Sequence, residues 1–169
     1  MFISSNREMA NGLRKPSTSL LTEDEIAHIK SEIRAIDADE NVFMFDRIGN
    51  TGFLDELGYI RIGRNVFPDF DSNSVYPTDL MSERAVLAHE YYGHYRHRGT
   101  TLPKGSWNDE FRASYDAAKL SPGLSDTDRQ YLIMDAMDRA RLAGVTIKPN
   151  KFMKEVLYGE DYERRSFGS

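Results

Sequence analysis

Apolar residues recur at helical spacing along several stretches of the chain. Ile26, Ile29, Ile33 and Ile36 repeat every three or four residues behind Thr22 and Glu25, a T-x-x-E capping box. This predicts a first helix running to about Ala38. Residues 41–45 ("NVFMF") and 58–67 ("GYIRIGRNVF") are rich in β-formers, and the intervening "DRIGNTG" reads as a turn, so the two runs are expected to be strands of a small sheet. In the second run Tyr59, Arg61 and Gly63 alternate imperfectly with Ile60, Ile62 and Arg64, the pattern of an edge strand with one buried face. Ser82 is placed to cap a helix from Glu83 to about Gly99. Ser106 with Asp109, and Ser125 with Asp128, open two further helices. The second carries Tyr131, Leu132, Met134, Met137 and Leu142 and stops at Gly144. "VTIK" (145–148) suits a short strand, and Asn150 can cap a last helix through Tyr158. The expected fold class is α+β, a compact domain with a small β-sheet followed by helices. Residues 1–20 are polar and aperiodic and read as a flexible leader or linker, 21–159 as the domain, and 160–169 as a frayed tail.

Composition narrows the chemistry. A chain of 169 residues fits one domain with its own core. There is no cysteine, so disulfides and thiolate metal sites are excluded, and a zinc ion would have to be held by histidine and carboxylate. Lysine and arginine number 22 against 27 aspartates and glutamates, a net charge of −5 that argues against a nucleic-acid partner. No run of about 18 apolar residues occurs and Met1 to Gly12 lacks the apolar core of a signal peptide, so the chain reads as soluble, without a membrane segment. Delivery as part of a longer secreted protein is compatible with that reading.

Three of the four histidines fall in "LAHEYYGHYRH", residues 87–97. In the usual H-E-x-x-H zinc helix, histidines four residues apart share a face and the glutamate points at the metal-bound water. Here His89 and His94 are five apart. At about 100° per residue, a regular helix would turn the second about 140° away from the first. A π-bulge absorbs one residue and returns the pair to about 40°, and Gly93 lowers the steric cost of that distortion. The blander reading is a solvated basic and aromatic helix face, against which stand the density of the cluster, Glu90 directly after His89, and the apolar "AVLA" leading into it. A third ligand is required. Glu110 shares a stripe with Ala113, Ala117 and nearly Ser114, small residues that allow another helix to approach closely. His97 and Asp109 are its competitors. Two histidines, a glutamate and a water would form an open catalytic zinc site.

"HEYYGH" resembles the H-E-L-L-G-H form of the dipeptidyl-peptidase III family, zincins with the extra residue, and "DEFRAS" (109–114) resembles that family's E-E-x-R-A-E ligand segment. The resemblance implies zinc on His89, His94 and Glu110, with Glu90 as general base. Asp109 stands for the family's first glutamate, and Ser114 for the acidic residue that orients a ligand histidine in related gluzincins; a hydroxyl raises ligand basicity less than a carboxylate does. More widely, "PTDLMSERAVLAHEYYGH" through "VLYG" is similar to zincin-like domains at the C-terminal ends of bacterial polymorphic toxins and secreted effectors. That likeness implies a zinc metallopeptidase acting on a polypeptide, secreted or delivered within a larger toxin, with an immunity or carrier protein as partner.

On this reading the strand "YIRIGRNVF" is available to pair with extended substrate, and Tyr115, Arg112 and Tyr131 are candidate oxyanion donors. Two other classes remain: a catalytically silent binding module with a structural or vestigial metal site, and a nucleic-acid-acting toxin using the Tyr, His and Arg cluster with His97 as acid or base. "DFDSNS" (69–74) opens like a calcium loop but has Ser74 at the turn glycine and Leu80 at the bidentate glutamate, and is rejected. Phosphate-loop and serine-hydrolase motifs are absent from the sequence.

Overall fold

A computed structural model gives the fold and describes residues 14–70, 73–99 and 102–159. Residues 1–13 of the expected leader and the whole expected tail, 160–169, lie outside the described residues. The N-terminal helix α1 (Glu23–Ala35) starts on the expected capping box: the Thr22 hydroxyl accepts from Glu25 N at 3.2 Å, and Thr22 N donates to the Glu25 carboxylate at 2.8 Å. Its isoleucines face inward, with Ile29, Ile33 and Ile36 fully buried.

A three-stranded mixed sheet follows, made of β1 (Phe43–Met44), β2 (Gly52–Leu54) and β3 (Tyr59–Arg61) in the order β1-β3-β2. β1 runs parallel and β2 antiparallel to β3. The strand expected at the edge is therefore the central one, both of its sides taken over these residues. The sequence pattern missed β2, whose Gly52 falls in the stretch read as a turn; three residues are too few to show alternation. β3 ends early because Arg64–Val66 curls into a 3-10 turn. "VTIK" forms no strand. The Val145 N–H is drawn back to Ala140 O at 2.9 Å around Gly144 (φ +77°), the closure of a helix C-terminus, which leaves it no ladder partner.

The helical half comprises α2 (Pro77–Leu80), α3 (Glu83–Ala88), α4 (Trp107–Leu120), α5 (Asp126–Leu142) and α6 (Lys151–Tyr158). α4 packs between α5 and the turn that follows α3, and α3 also touches α1. The fold is α+β, with one helix before the small sheet and the others after it. No helix among the described residues is long and apolar enough to cross a membrane.

The folded body begins before residue 21. Arg14 is only 2% exposed. Its guanidinium donates to the carbonyls of Asn65, Val66, Thr78, Asp79 and Met81 at 2.7–3.1 Å. Lys15 N donates to Phe67 O, and the Ser17 hydroxyl accepts from Asn65 N. Polar composition suggested a leader here, yet one long cation satisfies five carbonyls that the 65–81 segment cannot satisfy itself. Arg14→Met should therefore lose at least about 2 kcal/mol in denaturant unfolding, because it leaves buried acceptors unpaired while keeping the volume. A change below about 0.5 kcal/mol would show that these bonds contribute nothing net.

Candidate metal centre

Ser82 caps α3 by accepting from Ala85 N. The apolar residues Ala85, Val86, Leu87 and Ala88 bury the helix, so it enters the core before the histidines begin. At His89–His94 the backbone widens into a π turn, in which Tyr95 N reaches Glu90 O, five residues back. A 3-10 turn, Tyr95–His97, ends the segment. The helix expected over 83–99 is thus three pieces, and the irregularity expected between Ala88 and His94 is present. Its effect is direct: His89 Nε2 and His94 Nε2 lie 3.1 Å apart, with the rings edge to face.

Gly93 serves the site in a different way from the one its backbone freedom suggested. A Cβ there would lie 2.5 Å from Ala113 O and 2.8 Å from Ala113 C and Cα. The missing side chain lets α4 press its backbone against the π turn, and the small residues Ala113, Ser114 and Ala117 line the contact, fully buried. This approach delivers Glu110 from the first turn of α4. Its Oε2 lies 3.0 Å from His89 Nε2 and its Oε1 3.3 Å from His94 Nε2. His89, His94 and Glu110 form a group of donors close enough to hold a metal ion.

The competing ligands lie elsewhere. His97 Nδ1 is 3.0 Å from Tyr92 O, and its Nε2 faces Asp116 at 3.4 Å. Asp109 is held by Arg112 at 2.9 Å and by Gly105 N at 3.0 Å, and its Oδ2 stands 3.8 Å from His94 Nδ1, the ring nitrogen away from the cluster. Tyr91 and Tyr92 are buried, and the Tyr92 hydroxyl donates to Ile36 O at 2.6 Å, while Arg96 lies over the Tyr92 ring at 5.6 Å and Arg98 over the Tyr95 ring at 4.2 Å. Of the three oxyanion candidates, Arg112 lines the cavity beside His94, whereas Tyr115 accepts from Asn150 and stacks on Phe111. Tyr131 packs against the hydrophobic core.

Two residues that the sequence did not single out complete the surroundings. The Ser114 hydroxyl lies 2.8 Å from His89 Nδ1 and 2.6 Å from Asp135 Oδ2. Arg139 holds the other oxygen of Asp135 at 3.2 Å and reaches to 3.7 Å from Glu110 Oε2. The available signal was an aspartate falling among the positions Leu132, Ile133 and Ala136, which the helix buries.

No family model, curated protein or solved structure matches the chain. Burial depresses the His89 imidazole to about 3, so that ring is neutral. Burial alone would also lower His94, but its contacts with Glu110 raise it. Glu110 would be pushed up by burial, yet its contacts with both histidines hold it well below the usual carboxylate range. Burial raises Glu90 to about 7. Its Oε1 accepts from Phe53 N of β2 at 3.1 Å, while its Oε2 is buried without a hydrogen-bond partner. A cavity of about 320 Å³ opens beside His94, lined by Phe53, Arg98, Lys104, Asp109 and Arg112.

Proposed function

We propose that the chain is a gluzincin-like, zinc-dependent metallopeptidase domain. The observation that carries the reading is the convergence of His89 Nε2, His94 Nε2 and the Glu110 carboxylate at 3.0–3.3 Å from one another. Tetrahedral ligands about 2.0–2.1 Å from a zinc ion are separated by about 3.3 Å, so the three donors match one face of such a site. Charge supports it as well. Asp109 is paired with Arg112 and Asp135 with Arg139, while the buried carboxylates of Glu90 and Glu110 stand at the histidine pair, where a divalent cation would offset their charge. Two imidazoles and a carboxylate, with no thiolate, suit zinc.

Zinc held by His89, His94 and Glu110 would polarise a scissile carbonyl and acidify a water. Glu90, next in sequence to a ligand, takes the proton of the attacking water on its free Oε2 and returns it to the leaving amine. Its elevated affinity for a proton suits both steps. Extended peptide enters by the cavity at His94, where Arg112 is placed to meet developing negative charge. The resemblance to C-terminal domains of polymorphic toxins extends the proposal to a toxin or effector domain delivered by a longer protein, with an immunity or carrier protein as partner.

One observation favours a second reading, a structural metal centre in a catalytically silent module: Glu90 is wholly buried and one of its oxygens is committed to Phe53 N. Metal analysis of untagged protein tests what the two readings share, and both expect about one zinc per chain. Ligand identity is then read from Glu110→Ala, Asp109→Ala and His97→Ala, each measured for bound zinc and for the melting shift caused by a chelator. Glu110→Ala alone should lose both, with affinity falling by more than about 100-fold. If it binds zinc like wild type while His97→Ala does not, the third ligand lies on the histidine segment and the gluzincin assignment is wrong.

A further inference from the structure

Resting on the metal site proposed above, we infer that Ser114 and Asp135 act as a two-residue relay that fixes the orientation and tautomer of His89, making Asp135, from a different helix, the positioning carboxylate of the site. The argument follows from hydrogen-bond inventory. A hydroxyl has one proton to give, and an ionised carboxylate accepts only. Arg139 Nε donates to Asp135 Oδ1 at 3.2 Å, the partner expected of an ionised carboxylate, so Asp135 Oδ2, 2.6 Å from Ser114 Oγ, takes the serine proton. Ser114 Oγ is then left as an acceptor toward His89 Nδ1 at 2.8 Å, and that nitrogen carries the ring proton. With the ring proton on Nδ1, Nε2 is the nitrogen left to bind a metal ion, and it is the one that faces Glu110 and His94. A metal ligand is prepared in this way before any ion binds, since a histidine's far nitrogen sets which nitrogen is free.

The relay also accounts for Ser114 at a position where related gluzincins carry an acid. The negative charge has not been lost. It sits one hydroxyl further out, on α5, where Arg139 holds it while also approaching Glu110 at 3.7 Å. A direct carboxylate at position 114 and a carboxylate at 135 are alternative solutions within the same small volume, and this makes the inference testable by transplantation.

The experiment compares wild type with Ser114→Ala, Asp135→Asn and the transplant Ser114→Asp with Asp135→Ser. Zinc affinity is measured by chelator competition, and the His89 tautomer by nitrogen-15 NMR of the metal-free protein. Wild type should show the Nδ1–H tautomer. Ser114→Ala and Asp135→Asn should mix the tautomers and weaken zinc by about 10- to 100-fold, the usual consequence of losing an outer partner. The transplant should recover both the tautomer and at least a tenfold share of the affinity. A merely structural role for Asp135 predicts no such recovery, because the transplant removes its native bonds. Should all variants keep the wild-type tautomer and affinity, the relay is wrong while the zinc site stands. If wild type binds no zinc, the proposed function fails, and the tautomer in Ser114→Ala still decides the relay: its loss supports the inference and its persistence overturns it.

Discussion

Glu90→Gln is expected to bind zinc within a few-fold of wild type and to lose peptide cleavage by about 1,000- to 10,000-fold. The substitution keeps the shape of the side chain, and the amide oxygen can still accept from Phe53 N, so the β2 contact that fixes the residue survives. What disappears is the ability to accept a proton at the second position. A general base contributes roughly 100- to 10,000-fold, and here the same group also serves as the acid for the leaving amine, which places the loss at the upper end. Folding gives no reason for a compensating penalty. The wild-type carboxylate is fully buried and raised to about 7, so replacing it with a neutral isostere removes a desolvation cost. The measurement is cleavage of a library of unstructured peptides alongside bound zinc. Full activity in the variant would remove Glu90 from the mechanism. Zinc binding by wild type without cleavage of any library member would favour the structural centre, consistent with the Phe53 contact that half-occupies Glu90.

The parts of the site that were legible in the sequence are those determined locally. The five-residue separation of His89 and His94 is incompatible with a shared face on an α-helix, so a cluster at that spacing required the π turn that is present. The stripe of Glu110, Ala113, Ser114 and Ala117 showed which face of α4 would tolerate a close neighbour, and that face is the buried one. Serine and threonine caps gave the helix starts because their hydrogen bonds span three residues. What could not be read depends on tertiary partners. Asp135 lies 21 residues beyond Ser114 and joins the site because α5 packs on α4. Arg14 looked like part of a polar leader because its five acceptors are backbone carbonyls, which carry no sequence signature. The strand order was lost for a similar reason: with strands this short, which one is central depends on pairing across the fold, β3 taking β1 on one side and β2 on the other, not on alternation.

Gly93→Ala should lower stability by about 3 kcal/mol and zinc affinity together. In an isolated helix the substitution would be favourable by about 1 kcal/mol. Here the new Cβ would stand 2.5 Å from a carbonyl oxygen and 2.8 Å from two backbone carbons of Ala113, distances at which the backbone of α4 itself must move. Overpacking of this kind costs about 1–3 kcal/mol or more, because no side chain can rotate out of the way. Retreat of α4 would also carry Glu110 away from the histidines and stretch the Arg112 hydrogen bond to Gly93 O, now 2.7 Å, so the two effects share one cause. That coupling distinguishes the explanation from a local flexibility role for glycine. If Gly93 were needed for the π turn alone, shrinking the facing residue would be irrelevant and the metal donors would stay in register. If the clash is with the α4 backbone, Ala113→Gly cannot relieve it either, since the atoms in conflict are shared by every residue type. The test is therefore Gly93→Ala alone and combined with Ala113→Gly, followed by thermal unfolding with and without zinc. Both should melt well below wild type and show a reduced zinc-induced shift. A Gly93→Ala protein that melts like wild type and keeps its zinc shift would mean that α4 has room to withdraw without disturbing Glu110, and that the close approach does not hold the site together.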